Sequence, residues 1–264
     1  MSRLGWGRGL LFAAMGLFLL APLVVVAGVS LNAKKRLFFP PEGLSLRWYL
    51  RAFEDPGWRQ AIENSLLLAA LSALVAVSIA LPVAYLLWRR RWRLVRMLFV
   101  AGVAPFMLPP VITALGLMIF WATLGLYGRF ENLVLSHGIF LVALPLITLK
   151  LGFDSIDPEV VEAARTLGAD DRRLFATVLW PLVRPYALSG YAFAFVLSLN
   201  EYIIAYMVAG FTVETLPIKI FNALRYGYSP VMAAVAVGFV LVAGLVFGLF
   251  ARFGDLPRMM GRLR

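Results

Sequence analysis

Very few side chains in the apolar parts of this sequence are able to do chemistry. Glu201 is the only formal charge between positions 184 and 214, and Asn200 precedes it. His137 is the sole histidine, it lies in a different apolar segment, and there is no cysteine. Thiol chemistry is therefore excluded, and a metal site at His137 lacks a second ligand at a useful spacing. His137 is predicted to be a hydrogen-bonded helix residue, and no metal or cofactor is expected.

Glu201 is predicted to have a functional role, with a structural contact as the alternative. An ionisable group inside a membrane span is costly in lipid, so it usually faces the bundle interior or a water-filled cavity. One interpretation is a group on a solute path, and the other is a neutral interhelical contact with a Ser or Tyr. Tyr202 and Tyr206 follow it by one and five positions and are candidates to line the same path by cation–π contact. Their alternatives are helix packing or an interfacial aromatic belt.

Two functional classes other than a solute path can be tested against these residues. An intramembrane enzyme needs a catalytic constellation, and one Glu and one His in distant segments do not form one. We therefore predict no catalytic residue and no enzyme activity. A secondary transporter that couples to protons through Glu201 would more usually carry acids in several spans.

The composition indicates that most of the chain lies in a membrane and not in water. The chain has 264 residues, 62% hydrophobic and 15% charged, with a mean hydropathy of +0.86. Ordinary soluble domains have about 45–50% apolar and about 25% charged residues, so a water-soluble globular protein is excluded. The net charge is +11, but the basic residues cluster between apolar segments without the aromatic interleaving that tracks nucleic acid. The partner predicted from this charge is membrane lipid, and no nucleic acid is expected.

Six uncharged stretches are long enough to cross a bilayer, which takes about 20 apolar residues. They are Gly9–Ala33, Leu66–Trp88, Met97–Gly128, Asn132–Leu149, Pro185–Asn200 continuing past Glu201, and Tyr226–Ala251. The third stretch is too long for one simple span, so its helix is predicted to end near Gly125. The first is too long for the apolar core of a cleaved signal sequence, and an uncleaved span is favoured over that alternative. Kinks are predicted at prolines within the stretches: Pro22, Pro82, Pro105, Pro109, Pro110 and Pro145.

The distribution of Lys and Arg predicts the orientation. With six spans both termini share one side, and 16 of the 25 basic residues fall there. Cytoplasmic loops are enriched in Lys and Arg, so both termini are predicted to be cytoplasmic. The exception is the loop 32–61, which holds six of the remaining nine. The cytoplasmic set includes Arg3, Arg8, Arg89, Arg90, Arg91, Arg93, Arg96, Lys150, Arg165, Arg252, Arg258, Arg262 and Arg264.

The cytoplasmic loop 152–185 carries its own helix signals. Asp157 is an N-cap candidate, Pro158 takes the first helical position, and Gly168 supplies a stop, which predicts a helix over Pro158–Leu167. Its apolar face recurs at helical spacing and comprises Val160, Ala163, Ala164 and Leu167. Two alternatives stay open: the face lies on this chain's own surface or on lipid headgroups, or it inserts into a groove of another subunit.

The same loop resembles the EAA loop of ABC importer permeases. That pattern reads E-A-A, three residues, G, nine residues, I-x-L-P, and the matching residues are Glu162, Ala163, Ala164, Gly168, Val178, Leu179, Trp180 and Pro181. Val178 replaces Ile, and Trp180 replaces Leu. The resemblance covers about Asn64 to Arg252, with six spans in the expected places.

The resemblance implies an all-α, six-span permease of the type I ABC importer fold, with residues 1–264 as one transmembrane domain in a bacterial inner membrane. It implies that the loop helix docks on an ATP-binding subunit through Glu162, Ala163, Ala164, Gly168 and Pro181. It also implies as partners a second permease, two ATP-binding subunits and an extracytoplasmic solute-binding protein. The sequence has no phosphate-binding loop of the form G-x-x-x-x-G-K-[ST], which agrees with an energy source on another chain.

A narrower resemblance concerns the solute. The run from Leu197 to Glu201, the segment Thr215–Ile220 and the stretch Tyr228–Pro230 are similar to the second permease of spermidine/putrescine importers. In that family a Ser-Met-Asp-Asp stretch occupies positions 198–201, so Asn200 departs from an acidic pair. The implied solute is a polyamine, with other amino-containing solutes or organic acids as alternatives. Near the outer side, the loop 32–61 with Trp48, Tyr49 and Trp58 is a candidate landing surface for the solute-binding protein, and residues 210–229 are predicted to carry a short helix.

Overall fold

The computed structural model describes residues 3–90, 92–226 and 229–253. The described residues form helices joined by short connections, and their only β-type pairing is an isolated bridge between Asn32 and Leu44. The predicted all-α class is confirmed. Arg91, Tyr228, Arg258, Arg262 and Arg264 belong to the sequence predictions and lie outside the described residues.

The helices follow one another along the chain with few long connections. They are α1 (Arg3–Ser30), α2 (Arg47–Glu54), α3 (Pro56–Arg90), α4 (Arg93–Met107), α5 (Pro110–Thr123), α6 (Phe130–Leu141), α7 (Ala143–Asp154), α8 (Pro158–Thr166), α9 (Asp171–Arg173), a π-helix (Leu174–Leu179), α10 (Trp180–Asn200), α11 (Ile203–Ala209), α12 (Leu216–Tyr226) and α13 (Val231–Phe253).

Four helical stretches of the described chain are long and apolar enough to cross a membrane: Arg8–Ser30, Pro56–Arg90, Asp171–Asn200 and Val231–Leu249. Two further pairs reach that length only together and are bent, α4 with α5 by 111° and α6 with α7 by 46°. Counting each bent pair as one span gives the six that the sequence predicts. The helix predicted in the connection 210–229 is also confirmed, as α12.

Prolines explain both bends. Pro109 has no N–H for the carbonyl of Pro105, and the Thr113 hydroxyl donates to that oxygen instead, at 3.2 Å. The predicted end of this span near Gly125 is confirmed, because α5 ends at Thr123, and the kinks predicted at Pro109 and Pro110 are present as a full break of the helix at positions 108 and 109. Pro145 likewise cannot donate to Leu141, and the α6–α7 bend follows at that point, as the kink prediction expected.

Contacts group the chain into two compact units, Met1–Gln60 with Lys219–Ala243 and Ala61–Ile218 with Gly244–Arg264. In the second unit small residues allow close helix packing, which is how helices associate in lipid. A Cβ at Gly138 of α6 would lie 2.6 Å from Val75 of α3, and one at Gly190 of α10 would lie 2.7 Å from the backbone of Pro145. The buried residues of α3 are rich in alanine, and they include Ala69, Ala73, Ala76, Ala80 and Ala84.

In the first unit both tryptophans of the loop 32–61 turn inward, whereas Tyr49 is half-buried. The Trp48 indole donates to the carbonyl of Asn32 at 2.6 Å, and only 3% of Trp48 is exposed. Trp58 is 8% exposed, with the Lys219 ammonium 5.7 Å from its ring centre. The expectation that both tryptophans form an exposed landing surface is therefore wrong. Burial of the large apolar ring is favourable for both tryptophans. The indole N–H of Trp48 has a hydrogen-bond acceptor, and the ring of Trp58 has a cation beside it, in each case within the first unit.

Candidate functional site

The helix predicted in the loop 152–185 is present as α8 and is capped by its own sequence. Asp157 has an extended backbone, and its carboxylate accepts a hydrogen bond from the Glu159 N–H at 2.9 Å. Pro158 occupies the first helical position, where a missing N–H costs nothing. The helix ends at Thr166, with Leu167 as its C-cap, one residue before the predicted end.

Gly168 closes the other end of α8 through the backbone. Its φ is +83°, in the left-handed region that glycine adopts without steric cost. The Gly168 N–H donates to Arg165 and the Ala169 N–H donates to Ala164, at 2.9 and 3.0 Å. These two bonds form a Schellman motif, which satisfies carbonyls that a helix end leaves unpaired. The presence of glycine at this position of the motif is therefore explained by the backbone conformation that ends α8.

The apolar face of α8 is exposed. None of the residues of α8 is buried, Val160 is 44% exposed, and Leu167 just beyond the helix is 88% exposed. Glu162 and Ala163 are exposed and Ala164 is half-buried. The described chain therefore does not cover this face, which leaves lipid headgroups or another subunit as the alternatives for its contact.

Asp171 of α9 contacts both α8 and the end of α3, and the sequence did not predict these contacts. Its carboxylate accepts from Arg165 of α8, and its other oxygen lies 2.6 Å from a guanidinium nitrogen of Arg89 at the end of α3. Arg165 and Asp171 lie six residues apart on either side of the Gly168 turn. No spacing rule links Arg89 to them, so only the fold brings the three together. These contacts place α8 beside the end of a span, and because Asp171 is exposed each ion pair contributes only a little stability.

The end of the loop motif lies in a π-helix. This segment, Leu174–Leu179, leads directly into α10, and Pro181 stands in the first turn of α10. Leu179 is fully buried, whereas Trp180 is 38% exposed and Pro181 is exposed. A position this open accommodates Trp in place of Leu, so the departure from the motif costs no core packing.

The second candidate site lies where the fifth span is interrupted. The prediction that this span continues as a helix past Glu201 is wrong: α10 ends at Asn200, Glu201 is extended (φ −75°, ψ 123°), and α11 starts at Ile203. The Glu201 side chain bridges the break, because its two oxygens accept from the N–H groups of Ile204 and Ala205 at 2.9 and 3.0 Å. The carboxylate therefore takes the place of the missing helical carbonyls.

Glu201 also meets the sole histidine. His137 Nε2 lies 3.3 Å from Glu201 Oε2, close enough for an ion pair although too poorly aligned for a hydrogen bond. On the other side of the ring, Nδ1 and the Ser198 hydroxyl form a hydrogen bond of 2.8 Å. The His137 side chain is fully buried and that of Glu201 is 8% exposed. The prediction of His137 as a hydrogen-bonded helix residue is confirmed, and its ionisable neighbour is the part that was missed.

The remaining predicted path residues lie around this break. The Asn200 side chain is exposed and donates to the carbonyl of Val196 in its own helix, at 2.8 Å. Tyr202 and Tyr206 stack with ring centres 5.5 Å apart and planes inclined by 23°. Tyr206 is 37% exposed and Tyr202 is half-buried. Because the helix is broken, the two tyrosines share a face of the α11 segment and not of α10.

An apolar helical bundle with a buried carboxylate at a broken span and an exposed surface helix defines a membrane transport subunit. Residues 76–255 match the family described as "Binding-protein-dependent transport system inner membrane component", and the chain belongs to this family. Nothing in the described residues groups three or more side chains that could hold a metal ion.

Relatives and solved structures agree with this placement. The chain is 29% identical over 243 residues to the spermidine/putrescine transport system permease protein PotC of Escherichia coli (strain K12), covering 90% of each chain. It is 30% identical over 236 residues to the putrescine transport system permease protein PotI of the same strain, covering 87% of this chain and 84% of that one. A chain of a bacterial alginate ABC transporter has the same fold, with a TM-score of 0.74 at 19% identity, covering 96% of this chain and 98% of that one.

Proposed function

We propose that this chain is one of two permeases in an ATP-driven importer of polyamines, and that α8 is the helix through which separate ATP-binding subunits drive it. The membership in the inner-membrane permease family gives the transport role. The observation that carries the finer proposal is the similarity to PotC and PotI over most of the chain.

Coupling through α8 is supported by the loop geometry. The helix is fixed at both ends by Asp157 and Gly168, it is tied to the end of α3 through Asp171, and its apolar face is exposed. A short amphipathic helix with small residues in its centre fits a groove on a partner surface. The residues that would contact that groove are Glu162, Ala163, Ala164, Gly168 and Pro181.

A movement of α8 would be transmitted to the spans through the π-helix, which leads directly into α10. Closure of two ATP-binding subunits would draw the α8 helices of two permeases together, and each would tilt its spans through the π-helix and α10. One six-span chain then supplies half of the translocation path. The two permeases together would alternate between inward-facing and outward-facing states, and a solute-binding protein would deliver the solute on the outer side.

The solute proposal rests on charge at the broken span. Glu201 provides one carboxylate beside the stacked pair Tyr202 and Tyr206, a combination that attracts ammonium groups by charge and by cation–π contact. Asn200 is neutral where the spermidine/putrescine family has a second acid. This difference favours a solute with fewer charges, and other amino-containing solutes are the alternative to polyamines.

Orientation and location form part of the proposal. With both termini in the cytoplasm, α8 faces the compartment that holds ATP, and the loop 32–61 faces the solute-binding protein. The bias of Lys and Arg toward the segments on the side of α8 supports this orientation. The membrane would be the inner membrane of a bacterium.

The test is reconstitution of the chain into liposomes with the second permease, the ATP-binding subunits and the solute-binding protein encoded beside it. We expect uptake of labelled putrescine or spermidine that requires ATP inside and the binding protein outside. Uptake that persists without the ATP-binding subunits and stops when the proton gradient is collapsed would instead identify a secondary transporter. Normal ATP-driven uptake of another solute, with no competition by polyamines, would refute only the solute assignment.

A further inference from the structure

An open cleft of about 730 Å³ lies where three membrane segments end. The end of α3, the start of α4, the end of α7 and the first residue of α8 form its walls. Two basic side chains line it, Arg96 from α4 and Lys150 from α7, together with Asp154. The proposed ATPase coupling and solute path use neither basic residue.

The charge of this cleft favours an anionic ligand. Lys150 pairs with Asp154 four residues later in α7, but both side chains are more than 40% exposed, and an exposed pair of this kind is weak. Arg96 is exposed, and in the described part of the chain no carboxylate lies within ion-pair distance of it. The cleft therefore carries an excess positive charge, with one guanidinium available to bind a phosphate oxygen.

The other walls of the cleft are apolar. Leu87, Phe99 and Ile156 line it, and each is half-buried or buried. A free inorganic phosphate would leave these walls without a contact. A phospholipid would place its phosphodiester on Arg96 and Lys150 and its glycerol and upper acyl carbons on the apolar residues.

We propose that this cleft binds the headgroup of an anionic phospholipid such as phosphatidylglycerol. Basic pockets between the ends of membrane helices suit such headgroups, because the lipid phosphate lies at the same depth as the helix ends. Pro158, the first residue of α8, also lines the cleft, so a bound lipid contacts the start of the helix proposed to couple ATP hydrolysis. The assignment does not depend on which solute is carried.

The test measures lipid retention directly, without ATP or solute. The chain is purified with its partner subunits, reconstituted in nanodiscs of phosphatidylcholine with increasing phosphatidylglycerol, and analysed by native mass spectrometry. We expect phosphatidylglycerol to be retained in preference to phosphatidylcholine. Arg96→Gln and Lys150→Gln should each weaken this retention about fivefold, as expected for one basic contact to an anionic lipid. Arg96→Lys, which keeps the charge, should retain most of the preference.

Arg93→Gln is the matched control, because Arg93 is exposed on the same helix one turn earlier but does not line the cleft. It should leave retention unchanged. Equal loss in Arg93→Gln and Arg96→Gln would mean a diffuse surface potential and would overturn the site. Equal retention of both lipids, or displacement of phosphatidylglycerol by inorganic phosphate alone, would overturn the lipid assignment.

Discussion

The imidazole of His137 and the carboxylate of Glu201 lie 3.3 Å apart in the interior of the bundle, each from a different membrane segment. Ionisable residues inside a membrane usually pair with one another. Glu201 at the same time caps α11, so one side chain both contacts His137 and bridges a backbone break. An experiment on Glu201 therefore has to separate its charge from its capping role.

Glu201→Gln is expected to lower uptake of a cationic solute about tenfold, the effect of losing roughly 1.4 kcal/mol of attraction. The amide oxygen still accepts one of the two backbone hydrogen bonds, so half of the cap remains. Initial uptake rates of putrescine and of a neutral competitor measure the effect. Glu201→Asp serves as the control, since it keeps the charge and is too short to reach both amides. Uptake that falls in the aspartate variant and not in the glutamine variant would assign Glu201 to the cap alone.

Glu162→Lys is expected to abolish stimulation of ATP hydrolysis by the loaded solute-binding protein, at unchanged membrane insertion. The Glu162 side chain is exposed on α8 and has no hydrogen bond or ion pair with the described part of the chain, so the loss would come from the partner surface. The matched control is Glu159→Lys, which makes the same charge change one turn earlier and outside the motif. Normal stimulation in the Glu162 variant would refute docking through this part of α8.

Gly168→Asp is expected to uncouple transport through the end of α8. Any side chain at a φ of +83° costs about 1 kcal/mol, and the added carboxylate brings a charge to the exposed loop. Gly168→Asn has the same size and tolerates the left-handed conformation better than most residues, so it should retain more activity. ATP turnover and uptake by the two variants provide the comparison. Complete loss in both would mean that the partner excludes any side chain here, and the backbone explanation would fail.

Thr113→Val is expected to destabilise the bent α4–α5 pair by about 1 kcal/mol, because the half-buried carbonyl of Pro105 would lose its donor. The midpoint of thermal unfolding in detergent is the measurement. Thr123→Val is the control: that hydroxyl bonds a carbonyl three residues back at the exposed end of α5. A midpoint that shifts equally in both variants would argue against a special role for Thr113.

Local signals in the sequence predicted α8 almost residue by residue. An Asp before a Pro, an apolar face at helical spacing and a Gly at the end are short-range features, and each acts through backbone geometry next to it. The six apolar segments were predictable for the same reason, since length and composition alone decide whether a helix can cross a bilayer.

Long-range contacts were not predictable in this way. Nothing near Arg89 in the sequence indicates that it binds Asp171, and nothing near His137 indicates Glu201. The break at Glu201 was missed because no proline or glycine marks it. The interruption is stabilised by the Glu201 carboxylate, which accepts hydrogen bonds from the N–H groups of Ile204 and Ala205. Only the three-dimensional structure shows these two contacts.

Closure of both ends of α8 by the chain's own atoms has a thermodynamic consequence for assembly. A partner that docks on α8, as proposed, would meet a helix that is already ordered, so association would not have to fix its backbone at that moment. Less configurational entropy is lost, and a modest contact area suffices for a firm attachment. A preorganised helix does not have to fold before it moves. A displacement of α8 at Ala163 would therefore be transmitted to the membrane segments and not absorbed by a change in the helix itself.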